Sequence, residues 1–181
     1  MKFLLRPDQG DPSGFDLGDM FWRGELGEVA SVGHVPDQGM MIWISITDLL
    51  DSVHELLTGR SGNVSFIGAD CSFRMSFKTT REAVSVRGPS GPVARVGRAE
   101  LAEVVLSAAE ELAREHLSGV PPQDGVADDY VTALERFRLV ARATRQEGAS
   151  LPLSGFGTNL NATPPQVRGD HASPLPVRRV E

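Results

Sequence analysis

The chain has one cysteine, one tyrosine and two tryptophans among 181 residues. A single cysteine, Cys71, excludes an intramolecular disulfide framework and fits a reducing compartment. No run of 18 apolar residues occurs, so no transmembrane helix is expected. The opening MKFLLRPDQGD has only three consecutive apolar residues before Arg6 and Pro7, too few for a signal peptide, and the expected location is cytoplasmic. Lysine is nearly missing, two against sixteen arginines, a bias of GC-rich coding and not a nucleic-acid signature.

Chemistry-bearing motifs are equally scarce. The four histidines, His34, His54, His116 and His171, have no zinc-site spacing to one another or to Cys71. HExxH, CxxC, GxGxxG, the phosphate-binding GxxxxGK[ST] and the GxSxG elbow are all absent. Cys71 lacks a neighbouring base and opens an apolar series, which marks it as a small buried hydrophobe. Asp51, His54 and Glu55 share a helix face at a spacing a metal could bridge, but such patterns arise on any charged helix and no further ligands are evident. No cofactor and no metal site is therefore expected, and the reading leans away from an enzyme.

What is present is architectural. Met40, Ile42, Ile44 and Ile46 alternate with Met41, Trp43 and Ser45, which predicts a strand. The period then lengthens: Ile46, Leu49, Leu50, Val53, Leu56 and Leu57 make a helical stripe. Ser45 or Thr47 would cap this helix, Asp48 and Asp51 would suit its positive end, and Gly59 would close it. Before it lie a short edge strand at residues 1–6, a Pro/Gly/Asp loop, and one bent or two short strands over 20–32, broken at Gly24 and Gly27.

After it, Val64, Phe66 and Ile67 open a strand, and Cys71, Phe73, Met75 and Phe77 alternate strictly with polar residues. Val84 and Val86, the turn GPSG, and Val93 and Val96 complete an antiparallel meander. A second helix spans 97–117, with Glu110 and Arg114 as an i,i+4 pair. Beyond the linker at 119–125, a third helix covers about 127–147 and stops at Gly148, free either to dock or to serve a partner.

The expected fold is α+β: a mainly antiparallel sheet of five to six strands, two helices packed on one face, a third C-terminal helix and a disordered tail. The expected division is a core at 1–118, a linker with the C-terminal helix at 119–148, and a Pro-rich tail at 149–181.

Net charge is −6, and all of the excess falls in residues 1–62, which hold four basic and ten acidic side chains. That distribution disfavours nucleic acid and anionic membranes and favours a basic protein partner, although acidity also serves solubility alone. Asp48, Asp51 and Glu55 are the candidate contacts. A second candidate surface is basic: alternation places Arg74 and Lys78 on the open sheet face, near Arg87 if the register permits. No exposed aromatics are interleaved there for base stacking, and charge on an open sheet also guards against edge aggregation.

Between Gly39 and Leu117 the order is a strand entering SITDLLDSVHELL, then FIGADCSFRMSF, a charged hairpin, and RAELAEVVLSAAEELAREHL. It resembles small uncharacterised α+β proteins of high-GC Gram-positive bacteria and is similar in style to immunity proteins of polymorphic toxin systems. The resemblance implies a compact acidic protein that neutralises a toxin by binding it. It transfers no residue role. The expected function is a cytoplasmic protein-binding module, an inhibitor or immunity protein acting by steric and electrostatic occlusion. The alternatives are an enzyme or small-ligand binder whose site is assembled from distant residues, and a structural subunit joined through the third helix and tail. The oligomeric state is left open by the sequence.

Overall fold

The computed structural model describes residues 1–81 and 83–149; the expectation of a disordered tail, including His171, falls on residues outside these. The fold is α+β, with eight strands in two antiparallel sheets and three α-helices among the described residues.

The first sheet contains β1 (Lys2–Leu5), β2 (Leu17–Arg23) and β3 (Glu28–Ala30) in that order, with β4 (Met40–Met41) pairing β2. Residues 20–32 thus resolve as two short strands, turned where the Gly24 N–H donates to Gly27 O at 2.9 Å. The second sheet is the expected meander: β5 (Asn63–Ile67), β6 (Arg74–Thr79), β7 (Val84–Gly88) and β8 (Gly91–Val96), paired in sequence order.

Two sheets replace the single sheet expected because the chain leaves the first one after Met41. They meet at the β2–β3 turn, where the Leu26 N–H donates to Val93 O at 3.0 Å. Gly24 is required there, since a Cβ would collide with the Val93 carbonyl. Trp22 and Phe77 close the join from inside, ring centroids 6.1 Å apart. A bulge at Val86/Arg87 lets consecutive Val93 and Ala94 both face inward.

The strand predicted over 40–46 is corrected: only Met40–Met41 is strand, and α1 runs over Ile42–Leu57. Ile-x-Ile-x-Ile fits a strand, but Ile42, Ile46, Leu49, Val53 and Leu56 also fit one helical stripe, and all five are buried. Packing decided between the two patterns, and Ile44, inward in a strand, is only half-buried. The caps differ accordingly. No side chain caps Met41, and the first turn holds no acidic residue. The Ile42 N–H instead finds Asp16 O at 2.9 Å. Ser45, read as a cap, is buried and accepts from the Ala69 N–H at 2.9 Å. The C-terminus is as expected: Gly59 has φ +74°, with Gly59 N–H bonded to Leu56 O and Arg60 N–H to Glu55 O.

Eight large apolar side chains of α1 are no more than 3 % exposed, each contributing about 1.5–3 kcal/mol. The helix packs on β5, β6 and β2, while α2 (Arg98–His116) lies against β1 and α1. The helices are therefore shared between two sheets, not both set on one face of a single sheet.

Residues 119–148, read as linker and helix beyond a 1–118 core, place Val120, Tyr130, Leu134 and Phe137 in the same apolar core. Helix α3 (Gly125–Ala149) packs along α1 and α2, and Gly148 lies within it and does not end it. Tyr130 is buried, donates to Ala109 O at 2.7 Å and stands edge-on to Trp43, centroids 5.2 Å apart. Glu110 pairs with Arg138 of α3 at 2.7 Å, so the local pair predicted with Arg114 gives way to a tertiary one.

Candidate functional site

The polar side of α1 runs beside β5, the outer strand of the second sheet. Between them lies an open groove of about 330 Å³, lined by Asp48, Asp51, Ser52 and Glu55 from the helix and by Ser65, Phe66 and Ile67 from the strand. The three acidic candidates thus share one surface, as their i, i+3, i+7 spacing requires.

Their circumstances differ. Asp48 is exposed at its rim, and partial burial followed by the nearby Asp51 charge raises its pKa above the ordinary aspartate value. Asp51 is paired with Arg136, which reaches across from α3. Glu55 is exposed. His54 sits half-buried one helical step away, and burial, then Arg136 and Arg60, lowers its pKa. With Asp51 turned to Arg136, the i, i+3, i+4 set is not gathered round a common point, and no group of three metal-ligating side chains is found among the described residues.

The basic candidates lie on the adjoining face. Ser76 pairs with Arg87 and Lys78 with Ser85, which puts Arg74, Lys78 and Arg87 on the solvent side of the sheet. None of the three has a carboxylate partner among the described residues. A second shallow hollow, about 240 Å³, separates Arg74 from Arg87 and shares Ser65 and Ile67 with the acidic groove. The two patches therefore do not form one site. They lie on opposite sides of β5, an acidic flank and a basic one.

Two of the ten acidic residues in 1–62, Asp19 and Asp37, are used internally. Arg6 makes a bidentate pair with Asp19 (2.8 and 2.9 Å) and a second with Asp37 (2.6 and 2.9 Å). Ser31 Oγ donates to Asp19 at 2.7 Å and accepts from the Met20 N–H at 3.0 Å. The Arg6 guanidinium, opposed by burial, holds the Asp19 carboxyl below its ordinary range, and it holds Asp37 at about 2. Gly39 lies directly on this guanidinium, where a Cβ would clash. These carboxylates tie β1, β2 and the loop before β4 together; Asp8 and Asp16 line a separate hollow with Arg6 and His116, and the α1 row faces the groove beside β5.

Cys71 is half-buried, and burial raises its thiol pKa, with Asp70 adding in the same direction. It precedes β6 instead of opening it.

Sequence reasoning missed the part played by β5. Its alternation was legible, but its position at the sheet margin follows from which strands pair, and no local pattern encodes that. Among the described residues no helix is long and apolar enough to cross a membrane. The chain matches no family model, no curated protein and no solved structure.

Proposed function

We propose that this chain is a protein-binding module that engages a basic partner through the α1 row Asp48, Asp51 and Glu55, acting as an inhibitor or immunity protein by covering the partner's surface. The observation that carries this reading is the groove itself: three acidic residues from one helix line it beside an open margin of a sheet. Their charge steers an oppositely charged surface, and the adjoining strand fixes its orientation. Arg74 and Lys78 form a second contact zone for acidic residues at the edge of the same partner, so a partner of mixed charge binds in one register only.

Capture from host lysate tests the reading, with wild-type chain beside a variant carrying Asp48→Asn, Asp51→Asn and Glu55→Gln. A stoichiometric protein retained at low salt, released at moderate salt and missing from the variant is the expected result. Equal capture by both chains contradicts it, and a retained small molecule in place of a protein moves the assignment to a ligand-binding protein.

A further inference from the structure

The main chain of β5 carries information that its side chains do not. Gly62 O accepts from the Thr79 N–H and Gly68 N–H donates to Phe73 O, both at 2.9 Å. Hydrogen-bonded pairs alternate along an antiparallel ladder, so Val64 and Phe66 also turn their main-chain groups toward β6. Asn63, Ser65 and Ile67 therefore turn theirs outward. Those of Asn63 are taken by Ser61 Oγ, which accepts from Asn63 N–H at 3.3 Å and donates to Asn63 O at 2.7 Å. The N–H and C=O groups of Ser65 and Ile67 have no partner among the described residues. Open main-chain groups of this kind are a template for another strand.

We infer that β5 is completed by an extended segment of the partner, added as a further strand along Ser65–Ile67, with basic side chains at alternate positions facing Asp48 and Glu55. This rests on the proposed function and names the form its partner takes. Side chains of an added strand point alternately to the two faces of the sheet. On the α1 side they meet the acidic row. That row spans about 10 Å along the helix, against about 7 Å between alternate residues of a strand, so it accommodates two basic side chains. On the other side they meet Ile67, 60 % exposed, and the field of Arg74 and Arg87, which opposes further positive charge. Both faces thus select alternation over a contiguous basic run. A second copy of this chain is disfavoured as the occupant, because pairing two β5 edges would bring two acidic rows to one junction.

The probe is a synthetic peptide of about nine residues alternating lysine and threonine, compared with an isomer of the same composition whose lysines are contiguous. A third peptide is the alternating one with N-methyl groups on every second amide. Binding to the full chain is measured calorimetrically at low salt, and amide hydrogen exchange is followed at Ser65 and Ile67. The alternating peptide should bind at least about tenfold more tightly than either control and slow exchange at both amides, since two to four ladder bonds are at stake. Equal affinity for all three peptides, with exchange unchanged, overturns strand addition. In that event the electrostatic reading survives only if the Asp48→Asn, Asp51→Asn, Glu55→Gln variant loses affinity for every peptide. If that variant binds as wild type does, or if no peptide binds the wild-type chain, both readings fail.

Discussion

Arg136 of α3 pairs with the carboxylate of Asp51, the middle residue of the acidic row on α1. Both side chains are about half exposed, 49 % and 48 %, so the pair is screened by water. It is a cation supplied by the protein itself to the surface on which the proposed partner's cations would sit. Replacing Arg136 by Ala should cost at most about 1 kcal/mol of stability, as expected for an exposed ion pair. It should also strengthen binding of a basic peptide several-fold, because a full charge is released at the centre of the row. Denaturant titration and calorimetry on the same variant separate the two effects.

The link between α3 and the rest of the core is apolar and buried, in contrast. Tyr130 fills the junction of α1, α2 and α3 and donates to Ala109 O. Tyr130→Phe should remove only that hydrogen bond, about 1 kcal/mol. Tyr130→Ala should cost about 3–5 kcal/mol, because a cavity is left against Trp43. Urea midpoints measure both. A small loss for the alanine variant would mean that α3 is not part of the cooperative core.

Stability should fall in acid through the Arg6 cluster. The Asp19 and Asp37 carboxyls are both depressed in the folded chain, so each binds its proton less readily there than when unfolded. Their contribution is complete above the unfolded value near pH 4 and is lost as pH falls toward about 2, where Asp37 titrates. Replacing Arg6 by Leu should cost about 2 kcal/mol at neutral pH, chiefly by leaving the half-buried Asp19 charge uncompensated. The gap in Tm between the wild-type chain and this variant should narrow steadily from pH 5 to pH 2. A constant gap would show that the carboxylates are not the source.

The elements that were legible in the sequence are those in which only one period fits. Phe73, Met75 and Phe77 cannot form a helical stripe at that spacing, and GPSG leaves a hairpin as the simplest connection, so the β5–β8 meander was readable. Ile42 to Ile46 satisfied two periods at once, and burial against sheets and helices distant in sequence selected the helix. Glu110 had a suitable local partner in Arg114 and took Arg138 instead, because α3 lies alongside. The same limit applies to the site. Asp48, Asp51 and Glu55 were readable as one helix face, and Arg74, Lys78 and Arg87 as one sheet face. That Ser65 and Ile67 stand between them with open main-chain groups depends on β5 having, among the described residues, a neighbour on one side only, a property of the assembled sheet.

The salt dependence of binding tests the role of the acidic row of α1. The association constant of the full chain for the alternating lysine–threonine peptide is measured calorimetrically over a series from low to physiological salt, for wild type and for the Asp48→Asn, Asp51→Asn, Glu55→Gln variant. A steep loss of affinity with salt is expected for wild type and a weak, nearly flat dependence for the variant. Superimposable slopes for the two proteins would contradict that role and remove the acidic row of α1 from the binding surface.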